Sequence, residues 1–188
     1  MPYLCKMWQE PIPSQLYHED SDQKHQHCKI CNKDLLDGEP YAIQKVFKNY
    51  PDQDKPQTLF DFAMCQSCMN EARAELSKES RQRIDAFMMK GLHQLEESGE
   101  NPESRYSEQR CTISGAPLSE VKEYQMMAVC QGDNLLDSPV SLSDAMLEKI
   151  QELLSPESRR ELNRFTENNF GWPPELKKAL VDGDLILL

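Results

Sequence analysis

The sequence predicts an α+β protein of two tandem repeats, each with a cysteine-containing turn, a β-hairpin and helices. Two observations support this class. Two CxxC pairs bracket a segment rich in strand-forming residues, and the second half repeats parts of the first. The predicted segments are an arm (1–25), a metal-binding repeat with a helical extension (26–95), a polar linker (96–110), a degenerate metal-free repeat (111–170) and a tail (171–188).

The composition restricts the classes of partner. The 188 residues carry a formal net charge of −11. Residues 28–90 hold 10 basic and 10 acidic side chains, so the excess of acidic residues lies mainly in the second half. No basic stripe of the kind that binds nucleic acid is visible, and no apolar stretch approaches the roughly 20 residues that cross a bilayer. We therefore expect a protein partner rather than nucleic acid, and no membrane partner.

The cysteine content indicates a reducing compartment. The N-terminus lacks the basic region and apolar run of a signal peptide, which predicts a cytoplasmic location. In that environment the seven cysteines are expected to be thiols or metal ligands rather than disulfides. The odd number also argues against a fully paired disulfide framework.

The two CxxC pairs have the composition of a metal site. They supply four thiolates, the number that closes a tetrahedral structural zinc site. The interval of 33 residues between them exceeds the common ribbon spacing of about 15–20 residues, so it must contain structure. YAIQKVF (41–47) and TLFDFAM (58–64) read as the strands of a hairpin, and the sequence from Cys65 onward favours a helix. The predicted ligands are Cys28, Cys31, Cys65 and Cys68.

In this order of turn, hairpin and helix, residues 26–76 resemble the treble-clef group of zinc fingers. The resemblance implies that a knuckle provides the first two ligands and the first turn of a helix provides the other two. Iron bound as in rubredoxin is a less favoured alternative, since those proteins place glycine where Asn32 and Met69 stand here. A redox dithiol and four unliganded buried cysteines are the remaining alternatives.

An internal repeat relates the two halves. LSKESRQRIDAF (76–87) aligns with LSPESRRELNRF (154–165) at six of twelve positions, and CKICNKDLL (28–36) aligns with CTISGAPLS (111–119). The alternative is chance similarity between two capped amphipathic helices. In both helix segments a serine, Ser77 or Ser155, is the predicted N-cap.

The alignment predicts that the second repeat has lost its metal. Ser114, Ser143 and Met146 replace three of the four cysteines, and Cys111 alone remains. One thiolate cannot hold zinc, so we expect a metal-free unit. Met146 is predicted to fill the metal's place with apolar bulk.

The remaining histidines, the other cysteines and the terminal segments have simple structural interpretations. His27, next to Cys28, could act near the metal but is more simply a solvated loop side chain, and His18 and His25 have no assigned role. Cys5, Cys111 and Cys130 are expected to be inert small apolar residues. The arm, with Trp8, and the tail, with Trp172, are either packing segments or partner-binding segments.

Three functions follow in order of preference. The first is a zinc-binding interaction protein or adaptor without catalytic residues, because four protein ligands leave no open coordination position. The second is nucleic-acid binding through the neutral repeat, using six cationic residues: Lys45, Lys48, Lys55, Arg73, Arg81 and Arg83. The third is an enzyme with a polar cleft between the repeats, containing His25, His27 or Cys130.

Overall fold

A computed structural model describes residues 10–170 of the chain. It contains five helices and a six-stranded antiparallel sheet, which confirms the α+β class. The elements in chain order are β1 (Glu10–Pro11), a 3₁₀ turn (Ser14–Leu16), β2 (Pro40–Lys48), β3 (Gln57–Cys65), α1 (Gln66–Ala74), α2 (Lys78–Glu97), α3 (Pro102–Ser107), β4 (Glu123–Gln131), β5 (Asn134–Leu135), β6 (Val140–Ser143), α4 (Asp144–Glu152) and α5 (Pro156–Phe170).

The predicted hairpin is present as β2 and β3. Each strand extends one residue beyond the predicted segment at both ends, and the pairing runs from Tyr41 opposite Cys65 to Lys48 opposite Gln57. A register shift between Val46 and Phe47 interrupts the ladder once. β-Branched and aromatic side chains account for the strand propensity of both segments.

The centre of the sheet is the antiparallel pairing of β2 with β4. Nine consecutive residues of each strand are in register, and Gln44 lies opposite Met127 at the middle of the ladder. β3 lies on the outer side of β2, while β5 and β6 share the outer side of β4. The sheet therefore joins the two halves of the chain through their first long strands.

Two pairs of elements recur in the two halves at constant sequence offsets. β4 follows β2 by 83 residues at both ends, and α4 follows α1 by 78. Tyr41 is opposite Cys65 in the first half, and Tyr124 is opposite Ser143 in the second. The strand pairing thus follows the alignment of the sequence repeat.

A cluster of four serines connects the two long helices. Ser77 and Ser155 are N-caps, as predicted, since each hydroxyl accepts from an N–H three residues later at 3.1 Å. The contacts then cross over: the N–H of Ser77 donates to Ser158 Oγ, and the N–H of Ser155 donates to Ser80 Oγ, both at 2.9 Å. Ser80 and Ser158 are fully buried with their hydroxyl oxygens 3.1 Å apart.

The long helix of the first half reaches the turn of the second half. Gly91 of α2 is buried, and a Cβ at this position would lie 2.7 Å from a side-chain carbon of Ile113. The glycine therefore permits a close approach between α2 and the CTIS turn. One hydrophobic core cluster includes residues from both halves, among them Ile84 of α2 and Leu162 of α5.

Two predicted connecting segments have more structure than expected. The segment 96–110, predicted as a polar linker, contains the end of α2 and all of α3, which begins with a capping box between Asn101 and Ser104. In the arm, β1 pairs with β5, and Ile12 and Leu16 are buried. The described part of the arm is thus a packing segment, while residues 1–9 and 171–188 lie outside the described range.

Replacing Ser80 with Ala is expected to destabilise the protein by about 1–3 kcal/mol, because the Ser155 N–H loses its acceptor in a partly buried contact. Urea unfolding followed by circular dichroism measures this change. Ser107→Ala, at an exposed helix end, is the matched control and should change stability by less than about 0.5 kcal/mol. Equal effects of the two substitutions would contradict the structural role of the serine cluster.

Candidate metal centre

The first cysteine pair lies in a tight turn before β2. The N–H of Cys28 donates to the carbonyl of Lys33 at 2.8 Å, and the N–H of Asn32 donates to the carbonyl of Cys28 at 2.9 Å. Asn32 has a φ of 59°, a left-handed conformation that asparagine adopts more readily than most residues. The turn brings the thiols of Cys28 and Cys31 close together.

The second pair lies where β3 passes into α1. Cys65 is the last residue of the strand and the N-cap of the helix, and Cys68 is in the first helical turn. The N–H of Cys65 donates to Cys28 Sγ at 3.4 Å, which links the two pairs directly. Free N–H groups and the positive end of the helix dipole favour thiolates at this position.

The four sulfur atoms form one compact cluster. All Sγ atoms of Cys28, Cys31, Cys65 and Cys68 lie within 4.8 Å of one another, and those of Cys31 and Cys65 are 3.6 Å apart. Tetrahedral zinc with bonds of about 2.3 Å places its sulfur ligands about 3.8 Å apart. Three of the thiols are buried and Cys31 is exposed. The cluster could therefore hold one metal ion, and its dimensions fit zinc.

Neighbouring groups shift the pKa values of Cys65 and Cys68 in opposite directions. Burial raises the pKa of Cys65, but the N–H of Cys68 and neighbouring side chains, Ser67 first, outweigh it and leave that pKa at about 7. Burial raises the pKa of Cys68, and hydrogen bonds with the other thiols raise it further. Several thiolates in this small volume repel one another, so a divalent cation would stabilise the fully deprotonated cluster.

The second half repeats the backbone contacts of this centre but has only one of its four thiols, Cys111. The N–H of Cys111 donates to the carbonyl of Ala116 and that of Gly115 to the carbonyl of Cys111, both at 2.8 Å. The N–H of Ser143 donates to Cys111 Sγ at 3.4 Å, as Cys65 does to Cys28. Met146 is buried, in agreement with its predicted apolar role. Within residues 10–170, the four cysteines of the first half are the single cluster suited to a metal ion.

No protein-family model, curated protein or solved structure matches the chain. None of the helices within residues 10–170 combines the length and apolar character needed to cross a membrane. The assignment of function therefore depends on the chain's own geometry.

Sequence reasoning missed the environment of His25. The side chain is buried, with Nε2 3.7 Å from Asp61 Oδ2. Burial lowers the pKa of His25 to about 4, although the Asp61 carboxylate opposes this shift. His25 is therefore neutral at physiological pH. His27 is exposed, as expected for a loop side chain. No local pattern in HQHC distinguishes the two histidines, because burial depends on contact with β3.

The six cationic residues of the nucleic-acid hypothesis do not form a free basic surface. Lys45 is 4% exposed and pairs with Glu19, and Lys48 pairs with Glu123. Arg73 and Arg83 also form ion pairs, with Asp85 and Glu79 respectively. Four of the six cations are thus neutralised by carboxylates, which weighs against binding to a phosphate backbone.

The residues of the enzyme hypothesis, His25, His27 and Cys130, do not share a described groove. Cys130 is fully buried, and burial raises the pKa of its thiol to about 12, so it is an unreactive thiol at neutral pH. Cys111 is likewise fully buried, while Cys5 lies outside the described residues. One groove between the helices and the sheet is lined largely by apolar side chains. Its lining, within the described residues, includes neither Cys130 nor the histidines.

Proposed function

We propose that the chain is a zinc-binding interaction protein in which Cys28, Cys31, Cys65 and Cys68 hold a structural ion. The observation that supports this proposal is the convergence of four thiols from a turn and a helix N-terminus. Four protein ligands close the coordination sphere, so the ion stabilises the fold and has no open position for a substrate. The proposal therefore assigns no catalytic residue.

The proposal includes a specific architecture: two treble-clef-like units, of which the first binds zinc and the second is metal-free. Its support is the agreement between the sequence alignment and the structure. The strands and helices recur at offsets of 83 and 78 residues, and the turn contacts at Cys28 recur at Cys111. Chance similarity between two capped helices would not reproduce the pairing of the preceding strands.

Surface properties support a protein partner in the cytoplasm. The net charge of −11 disfavours acidic polymers, and an apolar groove is available on one face of the sheet. All six cysteines within the described residues are free thiols, as expected in a reducing compartment. These features together favour an adaptor over an enzyme or a nucleic-acid-binding protein.

Metal analysis of the purified protein is expected to find about one zinc ion per chain. Zinc binding contributes about 10 kcal/mol or more in small modules, which matches or exceeds the stability of many domains. Cys→Ser changes at any of the four ligand positions should therefore lose both zinc and the folded first half. Inductively coupled plasma mass spectrometry and circular dichroism measure the two effects.

Cys130→Ala is the matched control, because Cys130 is buried but lies outside the cluster. This variant should keep its zinc. A wild-type protein that is fully folded without any metal would exclude the structural zinc site.

Restoring three thiols should create a second site. The variant Ser114→Cys, Ser143→Cys, Met146→Cys is expected to bind about two zinc ions per chain, because Cys111 already occupies the position equivalent to Cys28. The zinc-to-protein ratio is the measurement. The control with Ser114→Cys alone should remain at one ion. A folded triple variant with one ion would contradict the proposed duplication.

Affinity capture with the zinc-loaded chain as bait distinguishes the two binding functions. The expected result is a protein partner that remains bound after treatment with nuclease and at elevated salt. Loss of all bound material after nuclease treatment would instead favour nucleic-acid binding, which is strongly salt-dependent.

A further inference from the structure

An apolar groove of about 340 Å³ lies between α1, α2 and one face of the sheet. Methionines contribute to it from four elements, since β3, α1, α2 and β4 each provide one. We name it the methionine groove, and its principal lining residues are Met64, Met69, Met88, Met127, Val129 and Val140.

The floor of the methionine groove is one face of the sheet. Side chains alternate between the two faces along a strand, so lining residues two positions apart point to the same side. The strand register places these residues in two neighbouring rows, of which six members out of seven are apolar. The first row is Phe62, Gln44, Met127 and Val140, and the second is Met64, Ala42 and Val129.

Several apolar side chains at the groove remain accessible to a partner. Met69, Met88, Met127 and Val140 are partly exposed, and Val129 is 44% exposed. Apolar surface that is grouped in this way is typical of an interaction site. Methionine is flexible and polarisable, and it lines surfaces that adapt to apolar side chains. The groove therefore suits the apolar face of a partner.

The charges that line the groove favour a cationic partner. Arg73 and Asp85 form an ion pair at 2.5 Å and neutralise each other. The carboxylate of Asp137 accepts the N–H of Ser138 at 2.7 Å and forms no ion pair within residues 10–170. One arginine and two aspartates give the lining a net charge of −1, and the whole chain carries −11. Complementary charge on a partner would be positive.

The volume of the groove limits how much of a partner can enter. A dry cavity of about 150 Å³ binds one benzene molecule, so the groove has room for roughly two large apolar side chains. Residues one turn apart on a helix present two such side chains about 5–6 Å apart. A sheet face offers no free backbone groups to an extended peptide, whereas a helix satisfies its own backbone hydrogen bonds. The groove therefore favours a helix.

We propose that the methionine groove binds a basic amphipathic helix of a partner protein. The helix inserts two large apolar side chains among the methionines and places a lysine or arginine beside Asp137. The inference rests on the proposed interaction function and specifies the chemistry of the partner.

A synthetic helix tests the proposal with the full-length chain. The probe is a fluorescein-labelled peptide of about 14 residues, or four turns, with leucine on one face and lysine on the other. Fluorescence anisotropy is expected to show saturable binding of one peptide per chain. A peptide with serine in place of leucine keeps the charge but should bind at least about tenfold more weakly, because it lacks the apolar face. Equal binding of the two peptides would overturn the proposal, because general attraction to an acidic chain would explain it.

Two exposed apolar residues provide a matched pair of variants. Val129 lines the groove, whereas Met89 on α2 is 68% exposed and is not among the lining residues. Val129→Glu and Met89→Glu add the same negative charge, so general attraction alone would affect both equally. We expect Val129→Glu to weaken binding of the leucine-lysine peptide about tenfold, because the bound helix would bury the new carboxylate. Met89→Glu should change the affinity by less than about twofold. Equal affinities of the two variants would overturn the proposal.

The contribution of Asp137 is tested by removing its charge. Asp137→Asn keeps a carbonyl oxygen that can accept the Ser138 N–H, so the local backbone contact is preserved. The substitution should weaken peptide binding several-fold at low ionic strength, and the difference should disappear at about 1 M salt. Asp133→Asn is the matched control, because Asp133 pairs with Lys24 and does not line the groove. Equal effects of the two substitutions would contradict the proposed position of the cationic side chain.

Circular dichroism and zinc content of each sample separate this inference from the proposed zinc site. A folded chain that holds about one zinc ion but does not bind the leucine-lysine peptide would overturn the helix-binding inference alone. A folded chain that binds the peptide in the groove without any metal would support this inference and exclude the zinc site.

Discussion

The antiparallel pairing of β2 with β4 is the interaction on which the rest of the structure depends. Its ladder of nine residue pairs gives every other strand an edge on which to pair, directly or through a neighbour. Because Gln44 and Met127 face each other at its centre, equivalent residues of the two halves lie at equal distances on either side. This register also brings the helices of both halves together, so that Ser80 and Ser158 meet.

The same pairing couples the candidate metal centre to the second half. Cys65 ends β3, β3 pairs with β2, and β2 pairs with β4. An ion bound to Cys65 and Cys68 would therefore also hold in place a strand of the sheet that the second half shares. The serine cluster and the packing of Gly91 against Ile113 provide further connections. Metal binding at the four cysteines would therefore stabilise both halves of the fold.

The sequence predicted the local elements well because their signals are local. Cysteine spacing, strand propensity and serine caps predicted the β2–β3 hairpin, the start of α1 and the N-caps at Ser77 and Ser155. Strand partners are not specified by periodicity, so the pairing of β2 with β4 could not be derived. The burial of His25 depends on its contact with Asp61 of β3, which no local pattern encodes either. Helix α3 did have a local signal in Asn101, Pro102 and Ser104, but polar composition outweighed it.

The crossing of α2 onto the CTIS turn has a consequence for the history of the chain. In a two-fold symmetric dimer of a half-length ancestor, the same contact would lie between two copies. In the proposed duplication, fusion of two such copies would convert their mutual contacts from concentration-dependent to intramolecular ones. One half could then lose three cysteines while its turn stayed in place, held by Ile113 against Gly91. Ser114 and Ser143 would then stand where the ancestral unit had metal ligands. Those ligands would have become dispensable once the two copies were covalently linked.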